Sequence, residues 1–350
     1  MSDAAGTDDL TLVTGGGGLL GGAVVRRLRA SGTPVRVLSR RPLPELEELG
    51  AEVFLGDLED RPSLLAACEG VCGVVHSGAR PGIDAPLRQF LGPNVAGTRH
   101  VIDGCLARRV RTLVHVSSPS VVFDGTPHEG ADERLPLPDR GLASYPHSKL
   151  LAERDALRAD RTRGLRTVAV RPHLIWGPGD RHVLPALVAA AQAGRVPSIG
   201  GANPLIAPTF VENAAAAIVQ TLFALPNRPE GAGRPYFLND LPPVRLHEFV
   251  RRVAEEAGLE PPALRRLPGP LATAAGKTAT LAWRALRRPD EPPLTAFAVA
   301  QLRVAHWYRT DALRQFGAWE AVEPEEAWRR TRPFLRRLAG EKSNARGDGG

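Results

Sequence analysis

The sequence contains few cysteines. There are three in 350 residues, Cys68, Cys72 and Cys105, which excludes a small scaffold held together by disulfides. Cys68 and Cys72 are four residues apart, but no further histidine or cysteine pair stands nearby at the spacing of a zinc site. We therefore expect no metal site and three reduced thiols, as in a cytoplasmic protein.

The sequence also predicts neither a secretory leader nor a membrane-spanning segment. Residues 1–10 are acidic and polar, without the basic and apolar regions of a signal peptide. No uninterrupted apolar stretch is long enough to predict a segment that spans a bilayer. With 43% hydrophobic and 24% charged residues, the composition is that of a globular protein. We expect a cytoplasmic location.

Lysine is scarce although the chain is basic. Only three of the 45 basic residues are lysines, and the formal net charge is +7. Residues 251–350 hold 18 basic and 12 acidic residues, so +6 of that charge lies there. No basic helix with interleaved aromatic residues is present, so we expect no nucleic-acid partner. A basic surface that meets an anionic membrane or an acidic substrate is the more useful hypothesis.

Strand and helix patterns alternate from residue 10 to residue 120. This alternation is expected for βαβ units and a parallel sheet covered on both faces. The sequence thus predicts an α/β fold: a Rossmann-type doubly wound parallel sheet with a smaller, mostly helical C-terminal substrate domain. The predicted strands include 10–13, 35–38, 53–55, 73–76, 112–116 and 165–170, and the predicted helices include 23–30, 43–49, 63–68, 94–108 and 145–161.

A glycine-rich loop lies between the first predicted strand and the first predicted helix. Residues 14–21 read TGGGGLLG, which contains G-x-x-G-x-x-G (from Gly15) or G-x-G-x-x-G (from Gly16); both include Gly18 and Gly21. Such glycines allow a tight turn and a close backbone approach to a pyrophosphate, and the helix N-terminus favours the phosphate charge. In this strand–turn–helix context the loop predicts a dinucleotide site.

The end of the second predicted strand bears on the choice of cofactor. An NAD site usually has an acid there for the ribose 2′-hydroxyl. Ser39 occupies that place, and Arg40 and Arg41 follow. Because an arginine nearby accommodates a 2′-phosphate, we favour NADP(H), with NAD(H) left open.

Tyr145 and Lys149 lie four residues apart and would share one face of a helix. A nearby ammonium lowers the pKa of a tyrosine. Such a tyrosine can exchange a proton with a carbonyl or alcohol oxygen while a nicotinamide handles the hydride. Serines at positions 117, 118 and 120 end the fifth predicted strand, where a hydroxyl can hydrogen-bond the reacting oxygen.

These features lead to a domain interpretation. The NAD(P)-binding Rossmann domain is expected at 8–172, with 205–240 returning to it. Residues 173–204 and 241–340 are expected to form the substrate-binding part. Residues 341–350 have the composition of a disordered tail.

The chain resembles the extended short-chain dehydrogenase/reductase superfamily. The resemblance rests on TGGGGLLG (14–21), GDLED (56–60), HSGA (76–79), NVAGT (94–98), VSSPSVVFDG (116–125), YPHSK (145–149) and RPHLIWGPGD (171–180). VSSPSVVFDG is similar to the sterol-4α-carboxylate 3-dehydrogenase pattern. With RPHLIWGPGDRHVLP (171–185) and PTFVENAAAA (208–217), it indicates the 3β-hydroxysteroid dehydrogenase branch.

The resemblance implies a set of site residues. The family's catalytic residues map to Ser118, Tyr145 and Lys149. Asp57 and Leu58 would lie near the adenine. The implied cofactor-binding residues are Thr14, Gly15, Gly18, Leu19, Leu20, Gly21, Ser39, Arg40, Arg41, Asp57, Leu58, Ser77, Ala79, Asn94, Tyr145, Lys149 and Pro172. The chain departs from the family's usual His-x-Ala-Ala, having His-Ser-Gly-Ala, and a proline precedes Asn94.

Three C-terminal segments, EPPLTAFAVAQL (291–302), AHWY (305–308) and PEEAW (324–328), are similar to one subgroup, the bacterial 2-alkyl-3-oxoalkanoate reductases of long-chain olefin biosynthesis. This similarity implies an NAD(P)H-dependent interconversion of a β-keto and a β-hydroxy group on a hydrophobic substrate. It also leaves room for contact with a membrane surface or with another biosynthetic enzyme. Members of the family often dimerise through helices such as 94–108 and 145–161.

Several alternatives stay open. The function could be that of a 3β-hydroxysteroid (sterol) dehydrogenase, another reductase of hydrophobic ketones, a nucleotide-sugar epimerase or dehydratase, or a non-catalytic NADP-binding sensor. The candidates for binding a substrate carboxylate are Arg80, His173 and Arg181. Phe123, Trp176 and Phe210 line an apolar pocket or belong to the core. Residues 264–288 form an interfacial helix, a lid, or a helix packed in the C-terminal part.

Overall fold

A seven-stranded parallel sheet forms the centre of the protein, and the computed structural model describes residues 10–240 and 242–347. The strands are β1 (Thr11–Thr14), β2 (Val35–Ser39), β3 (Glu52–Leu55), β4 (Gly73–His76), β5 (Thr112–Val116), β6 (His128–Ala131), β7 (Arg166–Pro172), β8 (Ile175–Trp176), β9 (Arg195–Ile199), β10 (Leu205–Ile206), β11 (Thr209–Phe210), β12 (Arg234–Leu238), β13 (Val244–Arg245), β14 (Ala263–Leu267) and β15 (His306–Tyr308). The helices are α1 (Leu19–Ala30), α2 (Pro44–Glu47), α3 (Arg61–Ala67), α4 (Arg88–Phe90), α5 (Gly97–Arg108), α6 (Ser144–Arg158), α7 (Val183–Gln192), α8 (Val211–Ala224), α9 (Leu246–Ala257), α10 (Gly269–Ala285), α11 (Ala296–Gln301) and α12 (Pro324–Gly347).

The strand order of the central sheet is β12-β7-β5-β4-β1-β2-β3, and every neighbouring pair in it is parallel. The chain starts in the middle, runs outward to β3, and then crosses back to β4 on the other side of β1. This reversal creates a crevice at the carboxyl ends of β1 and β4, where ligands bind in such sheets. The arrangement confirms the predicted Rossmann-type doubly wound fold.

Helices cover both faces of the sheet. In β1, Val13 packs into the core formed with α1 and α8, whereas its neighbour Leu12 packs on the opposite face with α3 and α5. Successive strand residues point to opposite faces, so a strand buried on both sides reads as a continuous apolar run. Cys68 and Cys105 are free thiols buried in the second of these cores.

Helical structure begins earlier than the sequence predicts in two places. The helix predicted at 23–30 begins at Leu19, because Gly21 and Gly22 in its first turns weaken the helical pattern. The helix predicted at 94–108 is preceded by α4 and a π-helical segment, Leu91–Ala96. Gly92 and Pro93 lie in that segment and obscure its helical character in the sequence.

Short strands accompany the helices of the C-terminal half. Strands β13, β10, β15 and β6 form a mixed sheet, and β11–β8 and β14–β9 form parallel pairs. Strand β12 pairs with β7, and α8 packs against α1, so the chain from 209 to 238 returns to the central sheet. No helix among the described residues is both long and apolar enough to cross a membrane.

The division into two parts stays a prediction. So does the disordered tail at 341–350: residues 348–350 lie outside the described residues, and only the backbone of 341–347 is described, as the end of α12.

A buried ion pair joins α6 to the sheet. Glu153 accepts two hydrogen bonds from the guanidinium of Arg171 in β7, at 2.9 and 2.6 Å. Their side chains are 0% and 1% exposed. Removing one member of such a pair leaves a buried charge without compensation, which costs far more than the loss of a surface pair. The pair therefore holds α6 at one position and rotation against β7.

We predict that Glu153→Gln lowers the free energy of unfolding by about 3 kcal/mol, because Arg171 keeps its buried charge. Asp155→Asn in the same helix is the matched control; it removes an exposed pair with Arg99 and should cost less than about 1 kcal/mol. Urea unfolding of the three proteins measures both values. Equal losses in the two variants would contradict a special role for the buried pair.

Candidate active site

A cavity of about 1030 Å³ lies at the carboxyl ends of the central strands. Its volume is at the upper end of the usual range for ligand pockets. Most of the sequence-predicted site residues line it: Gly15, Gly18, Leu19, Leu20, Gly21, Ser39, Arg40, Arg41, Asp57, Leu58, Ser77, Ala79, Ser118, Tyr145, Lys149 and Pro172. Thr14 and Asn94 do not line it and lie behind its wall. The structure therefore brings the glycine loop and the three predicted catalytic residues to one site.

The glycine loop forms a cradle that side chains would fill. Gly15 has a positive φ of 75°, and a Cβ there would lie 2.7 Å from Cα of Gly78. A Cβ on Gly21 would lie 2.2 Å from the carbonyl oxygen of Gly15. Helix α1 begins after Gly18 with no side-chain cap, so its first N–H groups are available to an anion. These residues fit the pyrophosphate of a dinucleotide.

A chain of hydrogen bonds supports this loop from behind. Gly78 N donates to Thr14 Oγ1 at 3.1 Å, and Thr14 Oγ1 lies 2.7 Å from His76 Nδ1. His76 Nε2 lies 2.9 Å from Thr98 Oγ1, which donates to the carbonyl oxygen of Asn94 at 2.6 Å. Because Thr98 Oγ1 donates to Asn94, it accepts from His76, and a proton of His76 therefore lies on Nε2. Burial and the charge of Lys149 lower the pKa of His76 to about 3, which keeps the ring neutral, so its Nδ1 accepts from the hydroxyl of Thr14.

Asn94 connects the same support to the catalytic helix. Its Nδ2 donates to Ser148 Oγ at 2.9 Å, and its Oδ1 accepts from the backbone N of Arg80 at 2.7 Å. Ser148 Oγ in turn donates to the carbonyl oxygen of Tyr145. Thr14 and Asn94 thus act on the site through the backbone of its walls. Thr98 is the last residue of the motif NVAGT (94–98), but the sequence did not predict its place in this network.

Lys149 lies on the buried face of α6, one turn after Tyr145. Its Nζ donates to the carbonyl oxygen of Val116 in β5 at 2.7 Å. Burial lowers the pKa of Lys149 to about 8, against the opposing effect of Glu153. One proton of the ammonium is used by Val116, and two remain for the cavity.

The environment of Tyr145 differs from the prediction. We expected the lysine to lower the pKa of Tyr145; burial instead raises it to about 12. The ring packs edge-on against Phe90, with 6.0 Å between centroids, and Lys149 is held by Val116. Desolvation of the ring therefore determines the direction of the shift, and the phenol keeps its proton.

Ser118 is held with its hydroxyl proton available. Its Oγ accepts hydrogen bonds from the backbone N and the hydroxyl of Ser120, at 3.2 and 2.9 Å. Both bonds use lone pairs of Ser118 Oγ, so its own O–H can donate into the cavity that it lines. With this geometry, the hydroxyl of Ser118 can donate a hydrogen bond to a substrate oxygen.

A residue missed by the sequence analysis holds the start of α6. Asp84 accepts from the backbone N and the hydroxyl of Ser144, both at 3.0 Å, and pairs with Arg284 of α10 at 3.1 Å. The backbone N of Tyr145 also donates to the carbonyl oxygen of Ile83 at 3.0 Å. Asp84 and Arg284 are 200 residues apart, and no local pattern predicts their contact.

Two of the three carboxylate candidates line the cavity. Arg80 lies there but donates to Gln89 Oε1 at 2.7 Å. Arg181 lines the cavity and is exposed, with no side-chain hydrogen bond or ion pair to another described residue.

His173 does not line the cavity. It is buried, with its Nδ1 3.0 Å from the carbonyl oxygen of Ala207 and its Nε2 2.9 Å from Nδ1 of His306. The sequence left open whether three aromatic residues line a pocket or belong to the core. All three are buried in the core: Phe123, Trp176 and Phe210.

Comparisons with known proteins place the chain among dehydrogenases and reductases. The model of the 3-beta hydroxysteroid dehydrogenase/isomerase family matches residues 12–269. The 2-alkyl-3-oxoalkanoate reductase of Shewanella oneidensis is 35% identical over 92% of this chain and 85% of its own length. That of Stenotrophomonas maltophilia is 38% identical over 91% and 97%. The 3 beta-hydroxysteroid dehydrogenase/Delta 5-->4-isomerase of Mycobacterium tuberculosis is 32% identical over 77% and 75%.

Solved structures agree with this fold. MoeE5 in complex with UDP-glucose and NAD is 25% identical, with a TM-score of 0.69 over 94% of this chain and 99% of that chain. UDP-glucose 4-epimerase from Thermus thermophilus, in complex with NAD, shares the fold at a TM-score of 0.70 and 22% identity, over 93% and 99%. The matched family and the glycine cradle support a nicotinamide cofactor for the chain.

We predict that Gly21→Ala weakens NAD(P)H binding at least about tenfold, because its Cβ forces the loop away from the helix N-terminus that faces the phosphates. Gly340→Ala is the control: Gly340 does not line the cavity, and its Cβ would meet nothing within 4 Å. Cofactor fluorescence titration gives the affinity, and thermal unfolding confirms that both variants are folded. Unchanged binding by a folded Gly21→Ala protein would contradict the cradle.

Proposed function

The chain belongs to the 3-beta hydroxysteroid dehydrogenase/isomerase family and is an NAD(P)-dependent oxidoreductase acting on CH–OH groups, and from this premise we propose its substrate and its catalytic residues. The proposed reaction converts a 2-alkyl-3-oxoalkanoate to a 2-alkyl-3-hydroxyalkanoate. The observation that carries the proposal is the convergence of Ser118, Tyr145 and Lys149 on the cavity that also holds the glycine cradle. The two reductases at 35% and 38% identity support the substrate class.

The three residues take complementary roles in this proposal. When bound, the nicotinamide supplies the hydride in reduction and accepts it in oxidation. Tyr145 gives its phenolic proton to the carbonyl oxygen in reduction and takes it back in oxidation. A pKa of about 12 keeps that proton in place until the substrate oxygen gains charge. Ser118 donates a hydrogen bond to the same oxygen, and the ammonium of Lys149 stabilises the tyrosinate and binds the ribose.

The preferred cofactor in this proposal is NADP(H). Ser39 at the end of β2 provides no carboxylate for a ribose 2′-hydroxyl, and Arg40 and Arg41 line the cavity directly after it. Neither arginine forms an ion pair with another described residue, so both are available to a 2′-phosphate.

Arg181 is the proposed partner of the substrate carboxylate. A 2-alkyl-3-oxoalkanoate carries this group on C2, the carbon adjacent to the reacting carbonyl carbon. Arg181 lines the cavity together with Pro172, Ile175 and Asp180. Arg80 is already engaged by Gln89, and His173 does not line the cavity. A guanidinium without a partner is suited to a carboxylate.

A 3β-hydroxysteroid dehydrogenase is the second candidate, favoured by the matched family model and the Mycobacterium tuberculosis relative. A 4α-carboxylated sterol with a 3β-hydroxyl is itself a β-hydroxy acid, so the same catalytic residues serve both substrates. Elimination from a nucleotide sugar is less compatible with the site, because Pro119 and Ser120 stand where the dehydratase branch usually has an acidic pair.

The substrate is tested in the oxidation direction, because β-keto acids decarboxylate. We expect reduction of NADP⁺ with a racemic 2-alkyl-3-hydroxyalkanoate and little with a 3β-hydroxysteroid or a nucleotide sugar. Tyr145→Phe should lower kcat by about 10²–10⁴-fold, as expected for loss of a general acid–base group. Tyr308→Phe, which changes a tyrosine outside the cavity, is the matched control. Turnover of the steroid alone would show that the proposed substrate is wrong and would favour the steroid dehydrogenase. Absence of turnover with the hydroxy acid, the steroid and the nucleotide sugar would contradict the proposal.

For the cofactor, Arg40→Ser/Arg41→Ser should raise the Kd for NADPH about 10–100-fold, because two charge-assisted contacts to the 2′-phosphate are lost. The Kd for NADH should stay within about twofold. Arg26→Ser, an exposed arginine of α1 outside the cavity, is the control. Equal weakening for both cofactors, or tighter binding of NADH by the unmodified protein, would contradict the preference.

For the carboxylate, Arg181→Gln should raise KM for the hydroxy acid about tenfold or more with little change in kcat, because ground-state and transition-state binding lose the same ion pair. Arg195→Gln, an exposed arginine outside the cavity, is the matched control. The methyl ester of the substrate should show no difference between the variants. An unchanged KM for the acid would exclude Arg181 from this role.

A further inference from the structure

A patch of apolar side chains is exposed on helix α10. Leu271, Leu281 and Leu286, in the helix and directly after it, are 65%, 65% and 69% exposed, more than any other large apolar side chain among the described residues. The opposite face of the helix buries Ala272 and Gly276. The helix is therefore packed on one side, and its three leucines are largely exposed to solvent.

Basic residues surround this patch. From Leu264 to Arg288 the sequence has six basic residues and no acidic residue. Lys277 lies six residues after Leu271 and four before Leu281, so at 100° per residue it borders the apolar arc of the helix. We call the three leucines, Lys277 and Arg287 the α10 surface.

A cleft at the C-terminal end of α10 adds positive charge. It has a volume of about 280 Å³ and is lined by five arginines and two aspartates. Arg284 pairs with Asp84 and Arg288 with Asp290. The other three arginines of the cleft form no ion pair with a described residue. Guanidinium groups in this state bind phosphate oxygens well.

We propose that the α10 surface docks onto a bilayer that contains anionic phospholipids. The leucines would enter the boundary between headgroups and acyl chains, and the basic residues would contact the phosphates, as in other interfacial helices. A second copy of the chain fits less well. A symmetric dimer through this surface would bring two segments of charge +6 face to face.

The proposal also connects the surface to the catalytic helix. Arg284 of α10 pairs with Asp84, which accepts the backbone N and the hydroxyl of Ser144. Ser144 directly precedes Tyr145 at the start of α6. Docking would therefore hold the active site next to the lipid. The inference does not depend on the proposed substrate, because vesicle binding is measured without substrate or cofactor.

Sedimentation with vesicles tests the proposal on the full chain. The probes are vesicles of phosphatidylcholine alone and of phosphatidylcholine mixed with phosphatidylglycerol. We expect binding to the mixed vesicles, little binding to the neutral ones, and release at high salt, because salt screens exposed charges. Leu271→Gln/Leu281→Gln should weaken binding at least about tenfold by removing apolar burial. Lys277→Ser/Arg287→Ser should weaken it several-fold by removing two charges.

The control for the leucine variant is Leu49→Gln/Phe223→Gln, which changes two exposed apolar side chains outside α10. It should bind as the unmodified protein does, and all variants should unfold at similar temperatures. Absence of binding to either vesicle, or equal binding to both, would overturn the proposal. A dimer that Leu271→Gln/Leu281→Gln dissociates, in a protein that binds no vesicles, would assign the surface to a second copy instead.

Discussion

The buried ion pair between Glu153 and Arg171 is the constraint on which the active site depends. Tyr145, Lys149 and Glu153 are spaced by four residues, so they follow one face of α6. Because Glu153 is locked to β7, a rotation or shift of α6 would leave two charges buried without partners. The same lock presents Lys149 to the carbonyl oxygen of Val116 and Tyr145 to the cavity. One electrostatic contact in the core thus sets the geometry of a site at its edge.

Close backbone packing plays the corresponding part on the cofactor side. Gly21 approaches the carbonyl oxygen of Gly15, and Gly15 approaches Gly78, at distances that leave no room for a Cβ. Behind this contact, neutral His76 joins the loop through Thr14 to the helix that follows the π-helical segment. The cradle therefore depends on two features. On the side of the cofactor, its glycines have no side chains to fill the space, and on the opposite side every group of the polar network has a hydrogen-bond partner.

The sequence was sufficient to predict what depends on local pattern. The strands of the sheet, the glycine loop and the Tyr145–Lys149 pair follow from apolar runs, residue type and spacing, and the fold they predicted is confirmed. The sequence was not sufficient to predict contacts between distant segments, such as the contact of Asp84 with Arg284. The predicted direction of the pKa shift of Tyr145 was wrong because spacing indicates a neighbouring charge but not how deeply the ring is buried. The sequence prediction missed the start of α1 because the glycines that allow close packing of the loop also weaken the helical pattern.

Transfer of deuterium from the substrate tests the account most directly. The substrate would be a 2-alkyl-3-hydroxyalkanoate that carries deuterium on the carbon bearing the hydroxyl, incubated with NADP⁺ and examined by mass spectrometry. The account predicts one deuterium in the reduced cofactor and none in the ketone formed when the product decarboxylates, because the enzyme catalyses a net oxidation at that carbon. Return of the label to the substrate with inverted configuration, as in an epimerase, or a reduced cofactor without deuterium would contradict it.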